Sequence, residues 1–245
     1  MGAQEILNSI TDNIKGIFSS GSKSLIGIDI GLSAVKIAEI KKSGSSYKLV
    51  GFAKVDLPEG ALIDDEIQIS SEIVSAIEKG VKKIKTQTLD VCLGLSGPNT
   101  VARKLQLAGG SFEDIEDQVQ WESEQYLPFP IDDSSLSFHV FGENEGGGVD
   151  VLVAAARNDL VESFKEVVET AKLKVKVVDL NVVAMINVFE NVYFKDLVDP
   201  NVSWLIIDIG AQRTDFVIYK QNSIAFTKEM NIGGSMITEE IQRQM

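Results

Sequence analysis

Two stretches of the chain combine residue types that can do chemistry. Ile26-Gly-Ile-Asp-Ile-Gly31 and Leu205-Ile-Ile-Asp-Ile-Gly210 each end an apolar run with Asp-Ile-Gly, and each is followed by a short turn and a second apolar run, Val35 to Ile40 and Phe216 to Tyr219. A buried strand that ends in an aspartate puts a carboxylate at the rim of a sheet. The glycine lets the backbone turn sharply, so that successive N–H groups can approach an anion. Two such hairpins facing each other can grip a polyphosphate from both sides. Asp29 and Asp208 would then hold Mg²⁺ through water, because Mg²⁺ keeps much of its hydration shell. One copy alone reads as an ordinary strand end. Two copies in matching settings, 179 residues apart, point to duplicated lobes.

Positioning these aspartates requires a mixed α/β framework. Leu25 to Gly31, Ala34 to Lys41 and Tyr47 to Val55 read as a three-stranded meander, and Ile69, Ile73, Ile77, Val81 and Ile84 form one face of the helix that follows. Asp90 to Leu95 is a further short strand. A compact insertion then runs over residues 100–172: strand Val101 to Leu107, a helix opened by Ser111 with Asp114 as a capping box, strands Leu136 to Phe141 and Val149 to Ala155, and a helix from Asn158. The main body resumes with strand Val175 to Leu180, helix Val182 to Phe194, and strands Trp204 to Gly210 and Thr214 to Lys220; a last helix starts at Ser235. The expected division is an N-terminal arm, 1–24; a first lobe, 25–99; the insertion, 100–172; the lobe's return with a connecting helix, 173–200; and the start of a second lobe, 201–245.

Composition excludes several function classes. The 245 residues carry 23 basic and 36 acidic side chains, net −13, and no stretch forms a basic patch along the sequence. Lys79, Lys82, Lys83 and Lys85 read as a solvated helix end. Nucleic acid is therefore not an expected partner. A single histidine, His139, leaves no His-based metal cluster. The single cysteine, Cys92, lies in an apolar stretch and reads as a buried structural thiol of a reducing compartment. Trp121 and Trp204 read as core or interface anchors. No apolar run approaches the ~18 residues of a membrane span. In the arm, Ile6, Leu7, Ile10, Ile14, Ile17 and Phe18 share a helical face, but Lys15 is the only cation before the Ser-rich joint, so docking on a protein surface is expected over direct membrane binding.

The hairpin pair resembles the two phosphate loops of the actin-like ATPase superfamily, which includes actin, sugar kinases, FtsA and MreB. By this resemblance the first loop's Asp-x-Gly-x-x-x-x-Lys pattern is Asp29, Gly31 and Lys36, with Leu32, Ser33, Ala34 and Val35 between them. The second loop is Asp208, Gly210, Ala211, Gln212, Arg213 and Thr214. Gly233-Gly234, followed by Thr238-Glu239-Glu240-Ile241, resembles the turn and helix that border the nucleotide. The resemblance implies that ATP and Mg²⁺ are the ligands, that Asp29 and Asp208 are the catalytic and metal-holding carboxylates, and that Asp179 polarises water.

The insertion resembles the 1C, SHS2-type subdomain of the FtsA and PilM group. Tyr126-Leu-Pro-Phe-Pro-Ile-Asp-Asp133 and the short arm ahead of the first hairpin tilt the resemblance to the PilM family of type IV pilus assembly. The implied fold is α/β, with actin-like (ribonuclease H-like) duplicated lobes, the second of them incomplete because the family continues beyond Met245. The implied role is a cytoplasmic adaptor, peripheral to the inner membrane, that binds the tail of a PilN-like inner-membrane protein and through it serves the pilus platform and motors. Val101, Leu105, Leu107, Leu136, Phe138 and Phe141 are the expected apolar lining of the tail groove, and each also reads as core of the insertion. Self-association is compatible with this role. ATP turnover is expected to be weak at most, and nucleotide binding by this length of chain weak, since the adenosine contacts lie further on. The alternatives are an FtsA-like cell-division filament protein and a small-molecule kinase.

Overall fold

The computed structural model describes residues 25–43, 46–144, 146–193, 202–220 and 223–245. The expected amphipathic arm, 1–24, lies outside the described residues. The described chain divides into two compact units, one of residues 24–98 with 159–245 and the other of residues 99–158.

The larger unit is built on a five-stranded sheet. β1 (Ile26–Ile30), β2 (Ala34–Ser43) and β3 (Ser46–Asp56) form an antiparallel meander, and β6 (Asp90–Leu95) and β10 (Lys174–Leu180) extend it in parallel, giving the order β10-β6-β1-β2-β3. Period-2 patterning explains the pairing, with Ile26, Ile28 and Ile30 buried on one face and paired in register with Glu39, Ile37 and Val35. Helix α1 (Ser70–Ile84) covers this sheet with Ile73 and Ile77, both fully buried. Each such side chain contributes roughly 1.5–3 kcal/mol. Ile69, expected on that face, precedes the helix and is 40% exposed.

A two-residue hairpin unmarked by the sequence pattern, β4 (Leu62–Ile63) with β5 (Glu66–Ile67), precedes α1. Its central residues, Asp64 and Asp65, both adopt positive φ (47° and 67°). A second, antiparallel sheet contains β11 (Trp204–Ile209), β12 (Thr214–Lys220) and β13 (Ser223–Met230), the last also unforeseen. Between the sheets, helix α4 (Asn181–Val188) passes into a π-helical turn, Phe189–Tyr193, whose Phe189 ring packs against Trp204 and Tyr219. Trp204 is thus half-buried among aromatic rings.

The smaller unit is a three-stranded sheet, β7 (Thr100–Leu107), β9 (Val149–Arg157) and β8 (Ser134–Glu143), with helix α2 (Phe112–Ser123) on one face. Ser111 and Asp114 close the expected capping box reciprocally. Helix α3 (Asn158–Thr170) follows β9, belongs from Asp159 onward to the larger unit, and buries Leu160, Phe164, Val167 and Val168. Leu107 belongs to the core under α2 with Ile115, Val119, Val151 and Val153, and Leu105, Leu136 and Phe138 pack against that core, so these four side chains are occupied in holding the unit together. Trp121 is 64% exposed, because Ile115, Val119 and Ser123 take the buried face of its helix.

Candidate functional site

The two Asp-Ile-Gly hairpins share one backbone geometry. Gly31 donates its N–H to the carbonyl of Ala34 at 3.0 Å, and Gly210 donates to the carbonyl of Arg213 at 2.8 Å. The ladders match as well: Asp29 stands opposite Lys36, and Asp208 stands opposite Asp215. The internal echo of the sequence is therefore an echo of register, with a cation in the first hairpin replaced by a carboxylate in the second.

One row across the large sheet carries the first half of the site. Lys36, Asp29, Gly94 and Asp179 lie in register on β2, β1, β6 and β10. Asp29 accepts a hydrogen bond from Lys36 Nζ on Oδ2 at 2.8 Å and from Asn181 Nδ2 on Oδ1 at 2.9 Å. Burial works against the Lys36 ammonium, but Asp29 beside it, with a further pull from Asp208, keeps its pKa above the ordinary lysine value. Asn181 reaches Asp29 because residue 94 is glycine: a Cβ there would sit 2.2 Å from Asn181 Oδ1. Neither Gly94 nor Asn181 was marked by a sequence motif. Asp179 Oδ1 accepts a hydrogen bond from the Leu180 N–H at 2.8 Å, and burial raises the Asp179 pKa. Such a carboxyl holds a proton more tightly than a free one.

In the second half, the turn Gly210–Thr214 is braced from behind. Gly234 and Ser235 donate their N–H groups to the carbonyls of Gly210 and Ala211, at 3.0 and 2.8 Å, so α5 (Gly234–Gln244) starts against the turn. Gly233 permits this closeness, since a Cβ would lie 2.4 Å from the Ala211 carbonyl oxygen. Thr214 is buried and donates its hydroxyl to the Ile232 carbonyl at 2.6 Å. Arg213 is turned to protein carboxylates. Its guanidinium pairs with Asp65 of the β4–β5 hairpin and lies 3.7 Å from Glu229 on β13. Burial raises the pKa of Asp65 and of Glu229, with Arg213 pulling both back down. Asp215 is raised by burial and then by Asp208. Asp65, Asp215 and Glu229 escaped the sequence reading; the Asp208–Asp215 spacing matches that of Asp29 and Lys36 and is the signal that would have found Asp215.

The geometry offers two amide-lined turns, an oriented aspartate–lysine pair, a second carboxylate pair and a protonatable aspartate. Comparison with known proteins gives the family and the fold. Residues 27–245 match the family model described as type IV pilus assembly protein PilM. The fold is similar to the protein in a solved PilM-PilN type IV pilus biogenesis complex, with a TM-score of 0.79 and 27% identity over 90% of this chain. The chain spans 65% of that protein's length. It is also similar, in fold alone, to the ethanolamine utilization protein EutJ of Carboxydothermus hydrogenoformans (TM-score 0.53, 10% identity, 91% of this chain and 57% of that one). The cytoplasmic domain of EpsL, an inner-membrane component of the Vibrio cholerae type II secretion system, gives a TM-score of 0.52 at 9% identity, over 85% of this chain and 71% of that one. The fold is the actin-like α/β fold, and the chain belongs to the PilM family of type IV pilus assembly proteins.

Proposed function

We propose that this chain is a nucleotide-binding adaptor of type IV pilus assembly that takes the cytoplasmic tail of a PilN-like inner-membrane protein and works at the cytoplasmic face of that membrane. The observation that carries the reading is the match of fold and sequence to a PilM solved together with PilN. In this reading the unit of residues 99–158 is the core of the inserted 1C subdomain, and the two Asp-Ile-Gly hairpins belong to successive lobes.

The residues present fit ATP with Mg²⁺. The Gly31–Val35 and Gly210–Thr214 turns would present backbone N–H groups to phosphate oxygens, with Lys36 adding a positive charge. Asp208 and Asp215 form a carboxylate pair whose repulsion a divalent cation would relieve. Among the described residues no group of three or more His, Cys, Asp or Glu side chains is placed to cage a metal, so water would complete the shell. Bound Mg²⁺ would supply charge neutralisation of the phosphates. Asp29 is held in one orientation by Lys36 and Asn181 and would order water on that shell; Asp179 would accept a proton.

The test is fluorescence polarisation of a labelled PilN-like tail peptide with and without Mg·ATP, alongside the Asp29→Ala and Asp208→Ala variants. Micromolar peptide binding by the parent chain, with Mg-dependent nucleotide binding lost in the variants, is expected. Absence of peptide binding, both to this chain and to a longer family member carrying it, would overturn the reading.

A further inference from the structure

Six lysines of this acidic chain, drawn from four segments, gather at one end of the larger unit. In the large sheet, Val175, Val91, Ile26, Glu39 and Gly51 form one row across the five strands. Everything beyond that row towards the starts of β1, β6 and β10 is one end of the unit. There the β2–β3 hairpin carries Lys41, Lys42 and Lys48, α1 runs out into Lys85, α3 runs out into Lys172, and β10 starts with Lys174; all six are exposed. Among the described residues the carboxylates at this end are Asp90, Glu169 and Glu39, the last buried and 3.8 Å from Lys41. Apolar side chains stand among the lysines: Tyr47 is 49% exposed, Leu49 58% and Leu89 50%.

Two of these lysines sit where the backbone disfavours a side chain. Lys85 and Lys172, each following a helix, adopt φ +55° and +65°, the left-handed conformation that glycine ordinarily supplies at a helix end. A cation at such a helix end complements the helix dipole, and here it is kept at some backbone cost.

We propose that this lysine-rich end of the larger unit lies against an anionic bilayer surface, its ammonium groups on lipid phosphates and Tyr47, Leu49 and Leu89 at the headgroup boundary. Exposed apolar groups between cations suit a lipid interface, which accepts both; a nucleic-acid backbone would leave them in water. The inference is independent of tail binding and gives the adaptor a contact of its own with the membrane.

The experiment is co-sedimentation of the whole chain with vesicles of phosphatidylcholine alone or with 30% phosphatidylglycerol, at low and high salt. The parent should bind the anionic vesicles only, and lose them in high salt. Lys85→Gly with Lys172→Gly removes two charges while relieving backbone strain, so thermal stability should hold or rise as the partition coefficient falls at least about 10-fold, at roughly 1 kcal/mol per lysine near such a surface. Adding Lys48→Ser and Lys174→Ser should abolish binding, whereas Lys54→Ser, beside Asp56 at the far end of β3, should leave it unchanged. Equal binding to neutral vesicles, binding indifferent to the four substitutions, or retention on duplex DNA in preference to vesicles would each overturn the proposal. So would a lysine-dependent change in oligomeric state without vesicle binding, which would make this end a contact between copies.

Discussion

Asp215 lies directly across the β11–β12 ladder from Asp208, at the register that Lys36 occupies opposite Asp29 in the β1–β2 ladder. The two hairpins share a turn bond and a spacing, yet one carries a neutralised pair and the other a repelling one. The first holds its own geometry; in the second the Asp208 charge adds to burial in raising the Asp215 pKa.

Asp215→Asn should therefore stabilise the chain at neutral pH, by about 0.2–1 kcal/mol, the usual size of a cross-strand charge effect. The parent's Asp215 is raised by burial and by Asp208, so the folded state holds its proton more tightly than the unfolded chain does. Stability gained from that proton is complete below the ordinary carboxylate pKa of about 4 and is lost as pH rises through the raised folded value. The advantage of the variant should thus be present at pH 7.5 and shrink as pH falls towards 4. Thermal melts across that range check it, and an advantage that grows on acidification would refute the pairing.

Gly94→Ala should displace the Asn181 amide from Asp29 and cost about 1–3 kcal/mol, since a Cβ would overlap Asn181 Oδ1 at 2.2 Å. Gly94→Ala combined with Asn181→Ala should be more stable than the sum of the single changes, because the clash is gone and only the hydrogen bond to Asp29 is missing. Denaturant melts of the four proteins in the cycle measure this; strict additivity would mean that the two residues do not compete for that space.

Asp64 and Asp65 share a conformation and should respond in opposite directions. Asp64 is exposed with φ 47°, so Asp64→Gly should stabilise the tight turn by about 0.5–1 kcal/mol. Asp65→Gly relieves the same strain but leaves the Arg213 guanidinium, 12% exposed, with only Glu229 at 3.7 Å, at a cost of about 2–4 kcal/mol. Equilibrium unfolding of the two variants should move to opposite sides of the parent.

Cys92 should be a slow thiol. Burial, and then the nearby Asp179 charge, push its pKa up to about 11. At pH 8 a shift of about two units puts the thiolate fraction about 100-fold below that of an ordinary cysteine. Alkylation by iodoacetamide should be slower in the folded protein by at least that factor and recover in denaturant; equal rates would contradict the packing around β6.

Much of this fold is legible along the chain because it depends on near neighbours. Period-2 runs mark β1, β2 and β6, the Ser111–Asp114 spacing marks the cap of α2, and the Asp-Ile-Gly repeats mark both turns before any coordinate is known. The strands at Leu62–Ile67 and Ser223–Met230 were not legible: the first is too short to show a period, and the second alternates weakly and is half exposed. Trp121 shows the limit of composition, for whether a large apolar side chain is buried depends on which helix face the sheet takes, and Ile115 and Val119 took it.

The sequence by itself determined the two turns and their aspartates, since a glycine after a strand-end carboxylate is a local instruction that any context would carry out. Tertiary structure alone decided which side chains complete them. Asn181 reaches Asp29 from 152 positions away, Arg213 turns to Asp65 from 148 away, and lysines from four segments meet at one end of a chain whose net charge is −13. Electrostatic and hydrogen-bond partners are fixed by distance in space, and that distance follows from how the strands are ordered in the sheet.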